Sequence, residues 1–438
     1  MRQKLIFGNH SSPDEVQQGF GIGSNVGKFY FSADISHTDK STYPLSRSFK
    51  GKGMQPAGDQ KNAYYNNKTA KLKVGIMPNE NHEYSLNFMY SRGQKDGRHP
   101  EDGGPQWRFP NYDRKMFYLL GNSFFTPDLS LNTRLYYDSS YTKKTQDLCV
   151  NADGTLTHKY GTAYVPNAAY EARCNPNNSF IYDDESYGAI FTLSYDFSQN
   201  SNLKFGTNLR VDKHKGTTIQ DKPKFDDLKE LTSSIFAQYA QRISDFRFVF
   251  ATSYDRLDGL DAYSYDSSKT NFKESNEKTS IKGSVSLQGV LYYDINEAQS
   301  LHFSVSKKQN MPTMSDRYGS IWGTYAQNPN LKPEGIIGYE FGYNLTFNST
   351  NLSAAVFYND KNNMIKTVEV GANYCSNPLG QTGVARAYCN KYVNVDTGYN
   401  YGGEISFEQG FFADDMLILG ADYSYIQEKS TAVAGGNP

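Results

Sequence analysis

No segment of this 438-residue chain approaches the roughly 20 consecutive apolar residues that a membrane-spanning helix needs. Mean hydropathy is only -0.68, and hydrophobic residues make up 37 % of the chain. Helical insertion is thereby excluded. Insertion as strands is not, because only alternate residues of a barrel stave meet lipid. An excess of one charge sign is missing too: 45 Lys and Arg stand against 46 Asp and Glu. That balance leaves no footprint for a nucleic-acid partner. The chain lacks a Gly-x-Ser-x-Gly elbow and a phosphate loop, so no enzyme is indicated. Its seven histidines are scattered without metal-ligand spacing, and neither a metal nor a cofactor is implied. At the start, Arg2 and Lys4 precede only three consecutive apolar residues, short of the roughly 7–15 of an export signal. An upstream signal is expected.

Aromatic residues, by contrast, are plentiful: 35 Tyr and 27 Phe dominate a share of 15 %. They fall in alternating runs. Phe29, Phe31, Ala33 and Ile35 interleave with Tyr30, Ser32 and Asp34. Tyr187, Ala189, Phe191, Leu193, Tyr195 and Phe197 oppose Gly188, Thr192, Ser194 and Asp196. Period-two alternation marks strands with one apolar and one polar face. The pattern gives roughly sixteen strands of about 10 residues, the length that crosses a bilayer when tilted. Short links at 78–81, 198–201, 244–245 and 348–350 alternate with polar stretches at 38–66, 93–113, 143–185, 214–230, 258–278, 310–334 and 371–390. Tight turns at one end and long loops at the other mark an outer-membrane barrel. Lys73, Arg134, Arg210, Arg247, Asp255, Glu340 and Glu404 fall on the polar face, and so many charges require water or a polar plug inside. The predicted fold is all-β: a large antiparallel transmembrane β-barrel with short periplasmic turns and long extracellular loops.

The four cysteines form two local pairs, Cys149 with Cys174 and Cys375 with Cys389, each in a stretch without strand alternation. Their spacing is not that of a metal site and no His flanks them. Disulfides within loops, in an oxidising compartment, are the favoured reading over free thiols.

The segment Asn328-Pro329-Asn330-Leu331-Lys332-Pro333-Glu334 reads as loop, since its two prolines suit neither a helix interior nor a central strand. It feeds a strand containing Tyr339-Glu340-Phe341-Gly342. Ala354 to Ile365 follows, then Tyr392-Val393-Asn394-Val395-Asp396 and Tyr401-Gly402-Gly403-Glu404-Ile405. In this order and spacing the chain resembles the TonB-dependent outer-membrane receptors of Gram-negative bacteria. Asn328, Pro329, Leu331, Pro333, Glu334, Glu340 and Gly342 carry the family motif. The resemblance implies a barrel of about 22 strands occluded by an N-terminal plug. Residues 1–438 are then expected to be one partial barrel domain, lacking the plug and the C-terminal strands. The implied function is uptake of a bulky iron complex, a ferric siderophore being favoured. Energy would come from the TonB complex through the missing plug, with outer-membrane lipid around the wall. The alternatives are a passive porin-like channel, an adhesive outer-membrane protein, and a receptor of the same family for haem, nickel or cobalamin.

Ligand contacts are sought in the long loops. Arg317, Tyr318, Trp322 and Tyr325 combine a cation with aromatic rings, which suits an anionic catecholate complex. Rings at a membrane interface explain the aromatics equally well. Trp107 and Arg108 present the same pair of readings. Met311 and Met314 are possible soft metal ligands, with loop packing favoured. Of the Phe-Arg-Ala-Pro box of haem receptors only Pro312 is matched, and 313–327 contains no His, which argues against haem. Asp183-Asp184-Glu185 reads as a solvated loop charge run.

Overall fold

The computed structural model describes residues 2–6, 15–52, 55–60, 63–97, 104–150, 156–159, 180–218, 224–264, 273–274, 278–319, 325–371, 388–412 and 416–430. The strands are β1 (Arg2–Ile6), β2 (Glu15–Val26), β3 (Phe29–Lys40), β4 (Tyr65–Asn79), β5 (His82–Asp96), β6 (Gly104–Phe124) and β7 (Leu129–Val150). Next come β8 (Leu156–Lys159), β9 (Phe180–Ser198), β10 (Ser201–Thr218), β11 (Lys224–Ile243), β12 (Phe246–Ser264), β13 (Lys273–Glu274), β14 (Ser280–Asn296) and β15 (Gln299–Asn310). After the helix α1 (Met314–Tyr318) follow β16 (Tyr325–Ala326), β17 (Glu334–Phe347), β18 (Thr350–Gly371), β19 (Tyr388–Phe411) and β20 (Leu417–Ser430). Sixteen of these strands are 12 residues or longer, in keeping with the count read from alternation.

The long strands form one antiparallel meander, each pairing with the next. Short β16 is the exception, lying parallel to β19. Among the described residues β1 pairs only with β2, and β20 only with β19. Every second connection is tight, and local chemistry explains why. Gly27 (φ 59°), Ser244 (φ 53°) and Asn348 (φ 49°) take left-handed backbone at three of these turns. Others are closed by a side-chain oxygen: Asn79 accepts from the Asn81 amide at 3.0 Å, and Asn296 from the Ala298 amide at 2.9 Å.

The apolar faces of the long strands are exposed near these turns. Phe205 is 53 % exposed, Phe250 55 % and Val356 59 %, which only a lipid surround makes favourable. On the other face charges find partners. His302 pairs with Glu340 at 3.0 Å, and the Arg247 guanidinium sits 4.0 Å from the Tyr292 ring centre. A Cβ on Gly342 would overlap the His302 ring, which accounts for the glycine of the family motif.

Two readings of the loops need correction. β6, β7, β10, β11, β12 and β19 run well into the polar stretches assigned to loop; β18 and β19 reach 22 and 24 residues. Beyond the lipid nothing demands one apolar face, yet backbone pairing continues, so alternation fades while the strand does not. Cys149 lies in β7 and Cys389 in β19, so neither sits in a loop. β2 was also concealed, because Gly19, Gly21 and Gly23 leave its inner face without polar side chains to set against Phe20, Ile22 and Val26 on the outer one.

Leu193 stands near mid-bilayer on β9, facing outward, and Thr192 faces the lumen. Leu193→Arg is expected to cost the full-length receptor about 2–4 kcal/mol in urea unfolding from lipid vesicles, and Thr192→Arg less than half of that. Equal losses would contradict the assignment of faces.

Candidate functional site

Buried apolar residues are scarce, and among the described residues both clusters lie under the segment between β15 and β17. That segment begins at Met311-Pro312, where the proline ends the strand. Thr313 then caps α1: its hydroxyl accepts from the Asp316 amide, and the Asp316 carboxylate accepts from the Thr313 amide at 2.8 Å. This reciprocal cap turns Arg317 and Tyr318 into the barrel wall. Arg317 is 0 % exposed; its Nη2 donates to Glu230 of β11, and its Nε donates to the carbonyls of Pro312 and Thr313 at 3.2 Å each. Tyr318 packs against Leu228, Ala262 and Met314, and its hydroxyl accepts from the Thr279 amide at 2.9 Å.

Reading these two side chains as exposed ligand contacts is therefore corrected. A guanidinium taken out of water requires a carboxylate partner, and Glu230 supplies it. Arg317 and Tyr318 hold residues 311–333 as a strap against the wall.

The family motif completes the strap. The Asn328 amide donates to the Arg317 carbonyl and its Nδ2 to the Tyr392 carbonyl, both at 2.8 Å. The Pro329 carbonyl accepts from Thr279 Oγ1 at 2.8 Å, and Leu331 is buried. Asn394 accepts from the Lys332 amide at 2.8 Å and donates to the carbonyls of Lys332 and Asn363. Glu334 accepts from the Ile365 amide at 2.7 Å. The motifs around Asn328, Asn363 and Asn394, far apart in sequence, thus meet in one hydrogen-bonded knot spanning the strap, β18 and β19.

The other predicted contacts are dispersed. Tyr325 stacks on Tyr392 with ring centres 5.2 Å apart. Trp107 lies in β6, 5.9 Å from the Phe180 ring, with Lys144 Nζ 3.8 Å above it. Arg108 pairs with Asp96 at 3.2 Å. Trp322 lies outside the described residues, as do Cys174 and Cys375. Cys389 is buried against Ala326 and Val370.

Beside the strap, β6, β7, β9, β10, β11 and β12 border a cavity of about 750 Å3, large enough for a drug-sized ligand. Its wall is a ladder of charges. Arg114 meets Asp138 at 3.0 Å, Arg210 meets Asp212 at 2.7 Å, and His214 meets Asp184 at 2.5 Å. Lys213 and Glu185 pair at 2.9 Å at its edge. Asp255 accepts from the hydroxyls of Ser234 and Ser253. Gln309 and Asn310 of β15 and Met311 to Met314 of the strap complete the lining. Asp184 and Glu185 thus stand in β9, directly opposite His214 and Lys213 of β10, and the solvated-loop reading is corrected. The signal was present: Arg210, Asp212 and His214 keep a period of two above the lipid, with complementary charges on the neighbouring strand.

A family model described as TonB dependent receptor-like, beta-barrel, matches residues 17–438. The chain belongs to the TonB-dependent receptors. It is an outer-membrane β-barrel, in a family of receptors and transporters. No curated protein sequence matches it. Among solved structures, the copper transporter OprC is 11 % identical with a TM-score of 0.72, over 94 % of this chain and 59 % of that one. The FrpB iron transporter from Neisseria meningitidis (F3-3 variant) is 13 % identical with a TM-score of 0.70, over 95 % and 60 %. The alcaligin outer-membrane receptor FauA from Bordetella pertussis is 13 % identical with a TM-score of 0.62, over 97 % and 60 %. Identities this low establish the fold alone. The receptor chain spans about three-fifths of the length of each.

Arg317→Ala is expected to destabilise the full-length receptor by about 3–5 kcal/mol, because Glu230 is left buried and unpaired. Limited proteolysis should then cut within 311–333. The double variant Glu230→Gln, Arg317→Met should recover most of the loss. An unchanged unfolding midpoint for Arg317→Ala would contradict the anchoring role.

Proposed function

We propose that residues 1–438 are the barrel part of a receptor for TonB-energised uptake of an iron complex, with a ferric siderophore as the favoured cargo. The observation that carries this reading is the cavity of about 750 Å3 on the wall beside the strap, sized for one chelate and rich in polar groups that orient it. Iron is the cargo named for the similarly folded FrpB, and alcaligin the ligand named for the similarly folded FauA. The physical need is concrete. Such a cargo is too bulky for passive pores, and the outer membrane has no nucleotide supply, so energy must come from the inner membrane. The TonB complex would deliver it through a plug segment in the lumen. A passive channel would need none of this apparatus.

A second reading, import of a soft metal ion, draws on Met311 and Met314, which line the cavity together with His214. Copper is the cargo named for the similarly folded OprC.

A strain lacking the receptor gene, complemented with the full-length gene, tests both. Growth restored on a ferric siderophore, and lost again when TonB is removed, is the expected result. Restored copper accumulation with no change on any iron source would replace the first reading by the second. Uptake independent of TonB would favour the passive channel.

For the cysteines, we propose that Cys389 bridges to Cys375 and that Cys149 bridges to Cys174. Alkylation of the unfolded, unreduced receptor should add no group. Four added groups would end the assignment.

A further inference from the structure

Above the apolar band the outward face of the wall carries charge, arranged in two ways. On β9, β10 and β11 cations stand opposite carboxylates: Lys213 pairs with Glu185 at 2.9 Å, and Lys215 lies in register between Asp183 and Asp227. On β4 and β5 the order is different. Lys68 and Arg92 are direct cross-strand partners, and Lys115 of β6 stands opposite Tyr90, two residues along β5 from Arg92. All three cations are exposed, and they share the outward side of their strands with Leu72, Phe88 and Phe117, each nearly half exposed. Like charges directly opposite one another on a ladder repel. Carboxylates border the row only at its two ends: Asp113 is in register with Arg92, and Asp39 of β3, diagonal to Lys68, accepts from Asn66 at 3.2 Å.

The height of the row identifies what it faces. Lys68 lies eleven residues along β4 from Asn79 at the tight turn, and Arg92 ten residues along β5 from His82. At about 3.3 Å per residue and a tilt of about 40°, both stand roughly 25–28 Å above the turns, at the far edge of a hydrocarbon band about 25 Å tall. That is the level of the outer-leaflet headgroups. We propose that this face of β4, β5 and β6 binds a phosphorylated glycolipid of the outer leaflet. One phosphate sits between Lys68 and Arg92, where it converts their repulsion into two attractions and meets the Arg92 fork. Lys115 takes a second phosphate. The acyl chains run down along Leu72, Phe88 and Phe117, which offer an apolar surface directly below the cations. Asp113 and Asp39 are acceptors at either end of the row, a feature that suits the hydroxyl donors of a sugar headgroup. The site lies on the lipid side of the wall, apart from the cargo cavity inside.

The test uses the full-length receptor in detergent micelles, with bound lipid counted by native mass spectrometry. Three probes are added: a bisphosphorylated diglucosamine lipid, the same lipid with both phosphates removed, and inorganic phosphate. The phosphorylated lipid is expected to bind at least about tenfold more tightly than its dephosphorylated form, and added salt should shrink that preference. The combined variant Lys68→Gln, Arg92→Gln, Lys115→Gln should abolish the preference. Lys307→Gln, which removes an exposed cation from β15 on the far side of the sheet, should keep it. If the triple variant does not fold, Arg92→Gln alone is expected to cut the preference several-fold. Equal binding of the two lipids overturns the proposal, as does an unchanged preference in either folded variant. Displacement of the lipid by inorganic phosphate at equal concentration also overturns it, since the row would then be a small-anion site. Each of these outcomes leaves the iron-uptake reading untouched.

Discussion

Every amide of a chain inside lipid must find its hydrogen-bond partner within the protein, and the structure follows from that requirement. With no apolar helix available, the chain answers by pairing each long strand with its neighbour. Pairing fixes register, and register fixes faces. Fifty per cent exposure of rings such as Phe205 and Phe250 would be untenable in water and is the expected state in lipid. The same registers send Lys73, Arg134, Arg247 and Glu340 to the opposite face, where tyrosine rings meet the cations and His302 meets Glu340. Stability thus lies in the ladder, and the usual packed core is almost missing.

Where a core does appear, it serves the strap. α1 is only five residues long, yet its capping box, its buried guanidinium and the Tyr318 hydroxyl lock the segment to β11, β12 and the start of β14. The asparagines of the late motifs then tie its far end to β18 and β19. A motif that looks like a recognition sequence is in this barrel a fastening. Its residues satisfy backbone groups of a loop that turns inward, where water could not do so reliably. The strap in turn gives the cavity one of its walls, so the fastening and the candidate cargo site are one construction.

Much of this was legible in the residues. Alternation gave the fold class, the number of long strands and the end at which the tight turns lie. The motif from Asn328 to Glu334 pointed to the family. Legibility stopped at the lipid boundary. In 143–185 and 214–230 the strands persist without an apolar face, so Asp184 and His214 looked like scattered loop residues when they are neighbours on a ladder. Arg317 was misjudged for a related reason: a lone Arg among aromatics reads as exposed until its carboxylate, 87 residues away, is known.

The amino-acid order by itself determined that the chain forms a membrane wall with an apolar exterior and a wet interior, because period-two hydropathy has one stable outcome in lipid. Only the tertiary structure decided which partner each charge has. Burial and pairing depend on strand neighbours that the linear order does not rank. Arg317 met Glu230, and Asp255 met two serines, only when the sheet and the strap brought those partners together.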